Sequence, residues 1–162
     1  MSASHNFSAA DIMAANIEGI QRGLNISMVA LQRELRITLS KKGTGVAYRG
    51  GKKGKGSYRR RSAPFNPPAV DTGTLRNSVQ TATVENRTGR DFVSVVMSGL
   101  VAGVNKDARI PRWLEYATRY MHHRPFIAPS IKVIKPKVVG IIELQMDKAI
   151  KRMRTRAQKA AQ

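Results

Sequence analysis

The chain has no cysteine. No disulfide holds the fold and no thiol chemistry is open to it, which fits folding in a reducing compartment without demanding one. Histidine is scarce, with three residues, and two of these are the neighbours His122 and His123. Long apolar runs are missing too. The longest patch, around Val138 to Ile142, falls far short of the roughly 20 residues that cross a bilayer. Met1 to Phe7 has neither a basic start nor an apolar run, so no signal peptide is expected.

The most informative shortage is of acid. Ten Asp and Glu stand against 29 Lys and Arg, a formal net charge of +19. Such a chain repels itself unless a polyanion or an acidic partner lies near. Nucleic acid is the first candidate, and an acidic protein surface or anionic membrane the second. Apolar content is an ordinary 41%, so the 162 residues are expected to form one domain, 1–162, with a modest core.

Ser8-Ala9-Ala10-Asp11 has the form of a capping box, with Asp in place of the commoner Glu. The helix it opens is expected to run to about Leu39. Ile17, Ile20, Leu24, Met28, Leu31 and Leu35 recur every three or four residues and form one apolar stripe. Some thirty residues give a rod of roughly 45 Å. Gly19 and Gly23 weaken it by about 1 kcal/mol each relative to alanine. Ile12, Ile26 and Ile37 fall on nearly the opposite side. They read either as scattered surface hydrophobes or as a contact with a neighbouring subunit.

Lys41 to Arg61 contains Lys41, Lys42, Arg49, Lys52, Lys53, Lys55, Arg59, Arg60 and Arg61, many glycines and no acid. Nothing in it is periodic, so residues 41–66 are expected to form a long, flexible basic loop. Its cations point to contact with nucleic acid or an acidic partner. Tyr48 and Tyr58, interleaved with them, suit stacking on bases or anchoring the loop.

Ser62 to Val79 follows as a stiff elbow. Pro64, Pro67 and Pro68 fix their own φ and extend the residues before them. Asp71-Thr72-Gly73 is turn chemistry, and Asp71 or Thr72 is placed to cap a short helical turn through Leu75. Val79, Thr81 and Thr83 then alternate as a strand. A turn at Asn86 to Gly89 joins it to a second strand over Phe92 to Met97, giving an antiparallel hairpin, and Gly99 to Val104 is a third strand or its connection. Pro111 to Ala117 reads as a short helix. The last helix is expected to begin near Pro129, to bend or restart at Pro136, and to carry Val138, Ile141, Ile142, Met146, Ala149 and Met153 inward. Met13, Met28, Met146 and Met153 read as core fillers. Residues 154–162 form a basic, exposed, frayed end.

A search for catalytic chemistry is negative. The adjacent His122 and His123 cannot easily chelate one ion, and no acid lies at helical spacing from them, so no metal and no cofactor are expected. No nucleophile elbow frames a serine, and the glycines of the basic loop do not precede Lys-Ser or Lys-Thr at a helix start. No enzymatic activity is expected. Glu115, beside Trp113 and Tyr116, has Arg124 as its natural partner for a bidentate pair.

Two stretches carry a resemblance. Ser62-Ala63-Pro64, Pro67-Pro68-Ala69-Val70-Asp71-Thr72-Gly73 and Leu75-Arg76-Asn77-Ser78 form the first, and Trp113-Leu114-Glu115-Tyr116-Ala117-Thr118 with Arg124-Pro125-Phe126-Ile127-Ala128-Pro129-Ser130 the second. In this order they resemble the phage tail-completion family, also called head–tail joining or neck proteins. That family usually has glycine where this chain has Ala117. The resemblance implies an α+β fold, with a small antiparallel or mixed β-sheet flanked by the long N-terminal helix and a C-terminal helix. It implies a structural virion protein of the neck or tail, assembled in the host cytoplasm as a homo-oligomeric ring, six-membered as is typical of that family, which joins the head connector to the tail. Its partners would be head connector or adaptor proteins, tail terminator or tail tube proteins, and the genomic DNA passing through the channel, with no membrane. Asp71, Thr72, Gly73, Leu75, Arg76, Glu115, Arg124, Pro125 and Phe126 would be motif or interface residues, and Ile12, Ile26 and Ile37 the subunit contact. Two alternatives stay open: a tail terminator, or a basic nucleoid or RNA-binding protein supported by the +19 charge and the Lys/Arg/Gly/Tyr segment. Against the latter, no helix-turn-helix or RNA-binding signature is present.

Overall fold

The first helix starts where its capping box places it. In the computed structural model, which describes residues 8–49, 58–70, 73–81, 85–86, 92–93, 96–97 and 110–160, the Asp11 N–H donates to Ser8 Oγ at 3.1 Å. The Asp11 carboxylate in turn accepts from the Ser8 N–H at 3.2 Å and from its hydroxyl at 2.7 Å. The Ser8 N–H is thereby satisfied, and the Asp11 N–H is shared between the Ser8 hydroxyl and the Ser8 carbonyl, the latter also at 3.1 Å. Helix α1 spans Ala9–Thr38, ending within a residue of the expected place. The other long helix, α4, spans Ile127–Ala160. These two helices dominate the chain.

The chain divides into two compact units, each taken by itself. The first comprises Met1–Met28, Thr83–Val95 and Lys135–Gln162. Here the early turns of α1 meet the later turns of α4 along a seam of small residues. Ala15, Gly19, Gly23 and Ser27 are all buried, one turn apart on one side of α1. A Cβ built on Gly19 would sit 2.5 Å from the Met146 Cα, and one on Gly23 2.7 Å from the Ile142 Cα. The glycines that weaken α1 in isolation are therefore what lets α4 approach it. Ser27 donates to the Gly23 carbonyl at 2.8 Å and so satisfies its hydroxyl inside the seam. At the rim, Glu18 pairs with Arg22 at 2.6 Å and reaches Arg152 at 3.9 Å. Strands β4 (Glu85–Asn86) and β5 (Phe92–Val93) pair antiparallel in this unit.

The second unit comprises Val29–Ala82 and Val96–Ile134. Its core is Leu35, Leu39, Val79, Leu114 and Phe126, flanked by Leu31, Leu75, Met121 and Ile127. Val79 and Phe126 are wholly buried, and each such side chain contributes about 1.5–3 kcal/mol. Gln32 Nε2 and Arg36 Nη2 of α1 both donate to the Val79 carbonyl at 2.9 Å, pinning the residue that enters the core. Ser130 is buried against α1, donating to the Phe126 carbonyl at 2.7 Å, with its Oγ 3.2 Å from the Thr38 hydroxyl, which can donate to it. Three ladders and two short helices complete the described elements. Strands β1 (Ala47–Arg49) and β2 (Tyr58–Arg60), and β3 (Gln80–Thr81) and β6 (Val96–Met97), pair antiparallel. Helices α2 and α3 span Thr74–Asn77 and Ile110–Tyr116.

Several expectations need correction. The β-sheet between the helices is represented, among the described residues, only by separate two-stranded ladders of two or three residues. Gly99 to Val104, expected as a third strand or its connection, lies outside the described residues. Helix α4 does not restart at Pro136: the proline lies inside one continuous helix, where it removes the N–H that would reach the Lys132 carbonyl. It is exposed, so that carbonyl can turn to water. Helix α4 also begins two residues before Pro129, leaving that proline in its first turn, where its missing N–H costs nothing. The basic end is helical to Ala160.

Helix α3 stops at Ala117, whose φ is +69°. This left-handed residue just past a helix end is the usual place for glycine, because a Cβ there is crowded. Ala117→Gly is accordingly expected to raise stability by about 0.5–1 kcal/mol, read from the denaturant midpoint.

Candidate functional site

The basic segment is more ordered than its composition implies. Ala47 pairs with Arg60, Tyr48 with Arg59 and Arg49 with Tyr58. The ladder continues at its base, where the Gly45 N–H donates to the Arg61 carbonyl at 2.7 Å and the Arg61 N–H to the Val46 carbonyl at 3.2 Å. Gly43 faces the opposite strand so closely that a Cβ would overlap the Arg60 carbonyl oxygen. The expected structureless loop is thus, at its base, a β-hairpin. The glycines read as flexible include two that allow strands to approach. Arg49 and Arg59 lie on its strands, and Lys41, Lys42, Arg60 and Arg61 are exposed. Lys52, Lys53 and Lys55 lie outside the described residues.

The hairpin leads straight into the proline elbow. Phe65 takes a φ of +66°, uncommon for a bulky residue. Its N–H donates to the His123 carbonyl at 3.0 Å, and its ring lies edge-on to His123 with centroids 4.6 Å apart and tilted to His122 at 5.7 Å. The two histidines therefore pack against an aromatic ring. Among the described residues no group of three or more His, Asp or Glu is placed to hold a metal ion. At the far end of the elbow, Gly73 is the residue before α2, with φ +76° and no side-chain cap. Glycine supplies the turn conformation, as its place in the sequence implies. Asp71 and Thr72, the expected capping residues, lie outside the described residues. Leu75 and Arg76 sit on α2, and the chain then delivers Val79 to the core.

The second stretch folds back on the first. Thr118 and Met121 exchange backbone hydrogen bonds at 3.0 and 3.3 Å, closing a tight turn, and the Arg124 N–H donates to the Leu114 carbonyl. Glu115 does not pair with Arg124. Its Oε2 accepts from the N–H groups of Phe126 and Ile127 at 3.0 Å each, and its Oε1 from Ala128 at 2.9 Å. The carboxylate caps the start of α4, where free N–H groups and the helix dipole favour an anion. Arg-Pro-Phe supplies no capping side chain of its own, so a residue from the preceding helix does so.

The two stretches that carry the resemblance thus meet in one unit. Leu75 and Val79 from the first pack with Leu114, Phe126 and Ile127 from the second. Together they also line a cleft of about 540 Å³. Arg60, Arg61, Ser62, Pro68, Ala69, Val70 and Leu75 line it from the first part of the chain, and Leu114, Tyr120, Met121 and Arg124 from the second. Sequence reasoning placed none of these residues in a cleft. Burial of Ser62 beside a run of cations had no signal in the pattern.

On α1, Ile12, Ile26 and Ile37 are 42%, 44% and 47% exposed, as the wheel predicts for a side turned from the core. No described helix is long and apolar enough to cross a membrane. No family model, curated protein or solved structure matches the chain.

Proposed function

We propose that this chain is a structural joining protein of a tailed phage, forming a ring in the neck between head connector and tail around a channel for DNA. The single observation that best supports this reading is the convergence of its two motif stretches on one core. Residues about forty apart in sequence, Leu75 and Leu114, pack in the same cluster, as two stretches of one structural motif would. Ala117 adds to this support. It holds a left-handed backbone at the position where the family usually has glycine. In this reading the short strands belong to a small sheet completed in the α+β fold of that family, and the basic hairpin reaches a polyanion or a neighbouring ring. The protein catalyses nothing, and its work is geometric.

The test is assembly. Negative-stain images of the purified chain should show closed rings, and adding it to separately purified heads and tails should join them. A monomer that binds duplex DNA with sequence preference would instead favour the nucleic-acid-binding alternative. Exposed Ile26 supplies a sharper experiment. In the ring it would be covered, so Ile26→Glu buries an unpaired charge there and abolishes association. In the single chain it faces water, and the melting temperature changes little. Normal ring formation by the variant means that the isoleucines are ordinary surface residues.

A further inference from the structure

The cleft beside the elbow has an electrostatic character that its place in the core does not require. Ser62 is 95% buried, by its 5% exposure, yet its Oγ has no hydrogen-bond partner among the described residues, and neither does the buried Nε of Arg124. Buried polar atoms are almost always paired, and leaving one unpaired costs about 1–3 kcal/mol. Both residues line this cleft. Arg60 and Arg61 also line it and add two more positive charges, and no described lining residue is acidic. Val70, Leu75 and Met121 supply apolar wall beside them.

From this we infer that the cleft is a docking site for an acidic, partly apolar peptide segment of a partner protein. Both atoms are covered in the free chain, so a partner reaches them only as the two side chains turn toward it. An Arg Nε–H is a donor only and a Ser hydroxyl can donate, so a group that accepts without donating would then satisfy both. A carboxylate does this and also offsets the surrounding positive charge. The apolar wall selects between sources of anion. A peptide can set a leucine-like side chain beside its carboxylate, whereas a phosphodiester chain brings sugar and further phosphate to the same surface. The inference does not rest on ring formation and holds for either reading of the protein's role.

The experiment uses the full chain and a dye-labelled, end-blocked octapeptide of alternating leucine and glutamate, followed by fluorescence anisotropy. Because the chain is strongly basic, the control is a variant of equal charge, Lys148→Gln, on the exposed surface of α4. Arg124→Gln is expected to weaken the peptide about tenfold more than the control does, the size of one charge-assisted hydrogen bond. Ser62→Ala is expected to weaken it about threefold while leaving the melting temperature equal or higher, since it removes a buried hydroxyl that lacks a partner. That pairing of lost affinity with retained stability keeps the test decisive if Arg124→Gln fails to fold. An oligothymidylate of matched charge should respond alike to Arg124→Gln and Lys148→Gln. Two results overturn the inference. One is peptide binding that is indifferent to both Ser62→Ala and Arg124→Gln beyond the control. The other is a loss specific to Arg124→Gln seen with the oligothymidylate and not the peptide, which assigns the cleft to phosphodiester.

Discussion

Gly19→Leu is expected to lower stability by about 3 kcal/mol or more, the upper range for overpacking a filled interior. Even alanine there puts a Cβ 2.5 Å from a backbone atom of the facing helix. A backbone contact cannot be relieved by turning a flexible side chain. Gly19→Ala should therefore be destabilising by about 1–3 kcal/mol, despite the roughly 1 kcal/mol that alanine gains in helix propensity. The same comparison at Gly140 has the opposite sign. That glycine lies in α4 with nothing within 4 Å of a built Cβ, so propensity acts alone and Gly140→Ala should stabilise by about 0.5–1 kcal/mol. Thermal melts of the three variants check this, with about 2–4 °C expected per kcal/mol for a chain of this size. Equal stabilisation by Gly19→Ala and Gly140→Ala would show that the seam is looser than described.

Glu115→Ala should be the second large loss, about 2–3 kcal/mol. Three N–H groups at the start of α4 lose a charged acceptor, and hydrogen bonds to charged groups are worth more than neutral ones. Water can replace the bond at exposed Ala128, which keeps the cost below the sum of three. Glu115→Gln retains one carbonyl oxygen and should cost about 1 kcal/mol, a typical helix-cap loss. Amide exchange at Phe126, Ile127 and Ala128 gives a local readout. Their protection should fall in both variants, further with alanine. Unchanged protection would mean that the carboxylate does not hold this helix.

The start of α1 and the turn into α2 were legible because they depend on local chemistry. Ser8 and Asp11 satisfy each other within one turn, and Gly73 supplies its own backbone freedom, so neighbouring residues suffice to read both. Glu115 failed for the opposite reason. Opposite charge pointed to Arg124, but the competing partner was a set of backbone N–H groups, which carry no side-chain signature and become a site only when a helix starts there. The hairpin at Gly45 and Arg61 was hidden in a similar way. Cations and glycines blur the period-two pattern of a strand, and the close approach that requires glycine at position 43 involves a residue on the other strand. The cleft was least legible of all, since the missing partners of Ser62 and Arg124 are a property of burial. Ala15, Gly19, Gly23 and Ser27 were readable in principle, because their four-residue spacing lines one side of a helix, although propensity alone counts the glycines as defects.

The small-residue seam also sets an order of events during synthesis. It joins α1, the first described element, to α4, the last, so Gly19 must wait for Met146. At about 5–20 residues per second that interval is roughly 6–25 s. Helix formation takes microseconds, so α1 can form and re-form many times before its counterpart leaves the ribosome. During that wait its inward face has no permanent cover, and two nascent chains on one message present the same face to each other. A partner that receives α1 early, whether a chaperone or another subunit, would act in this window, and the speed of translation between the two helices becomes a determinant of yield.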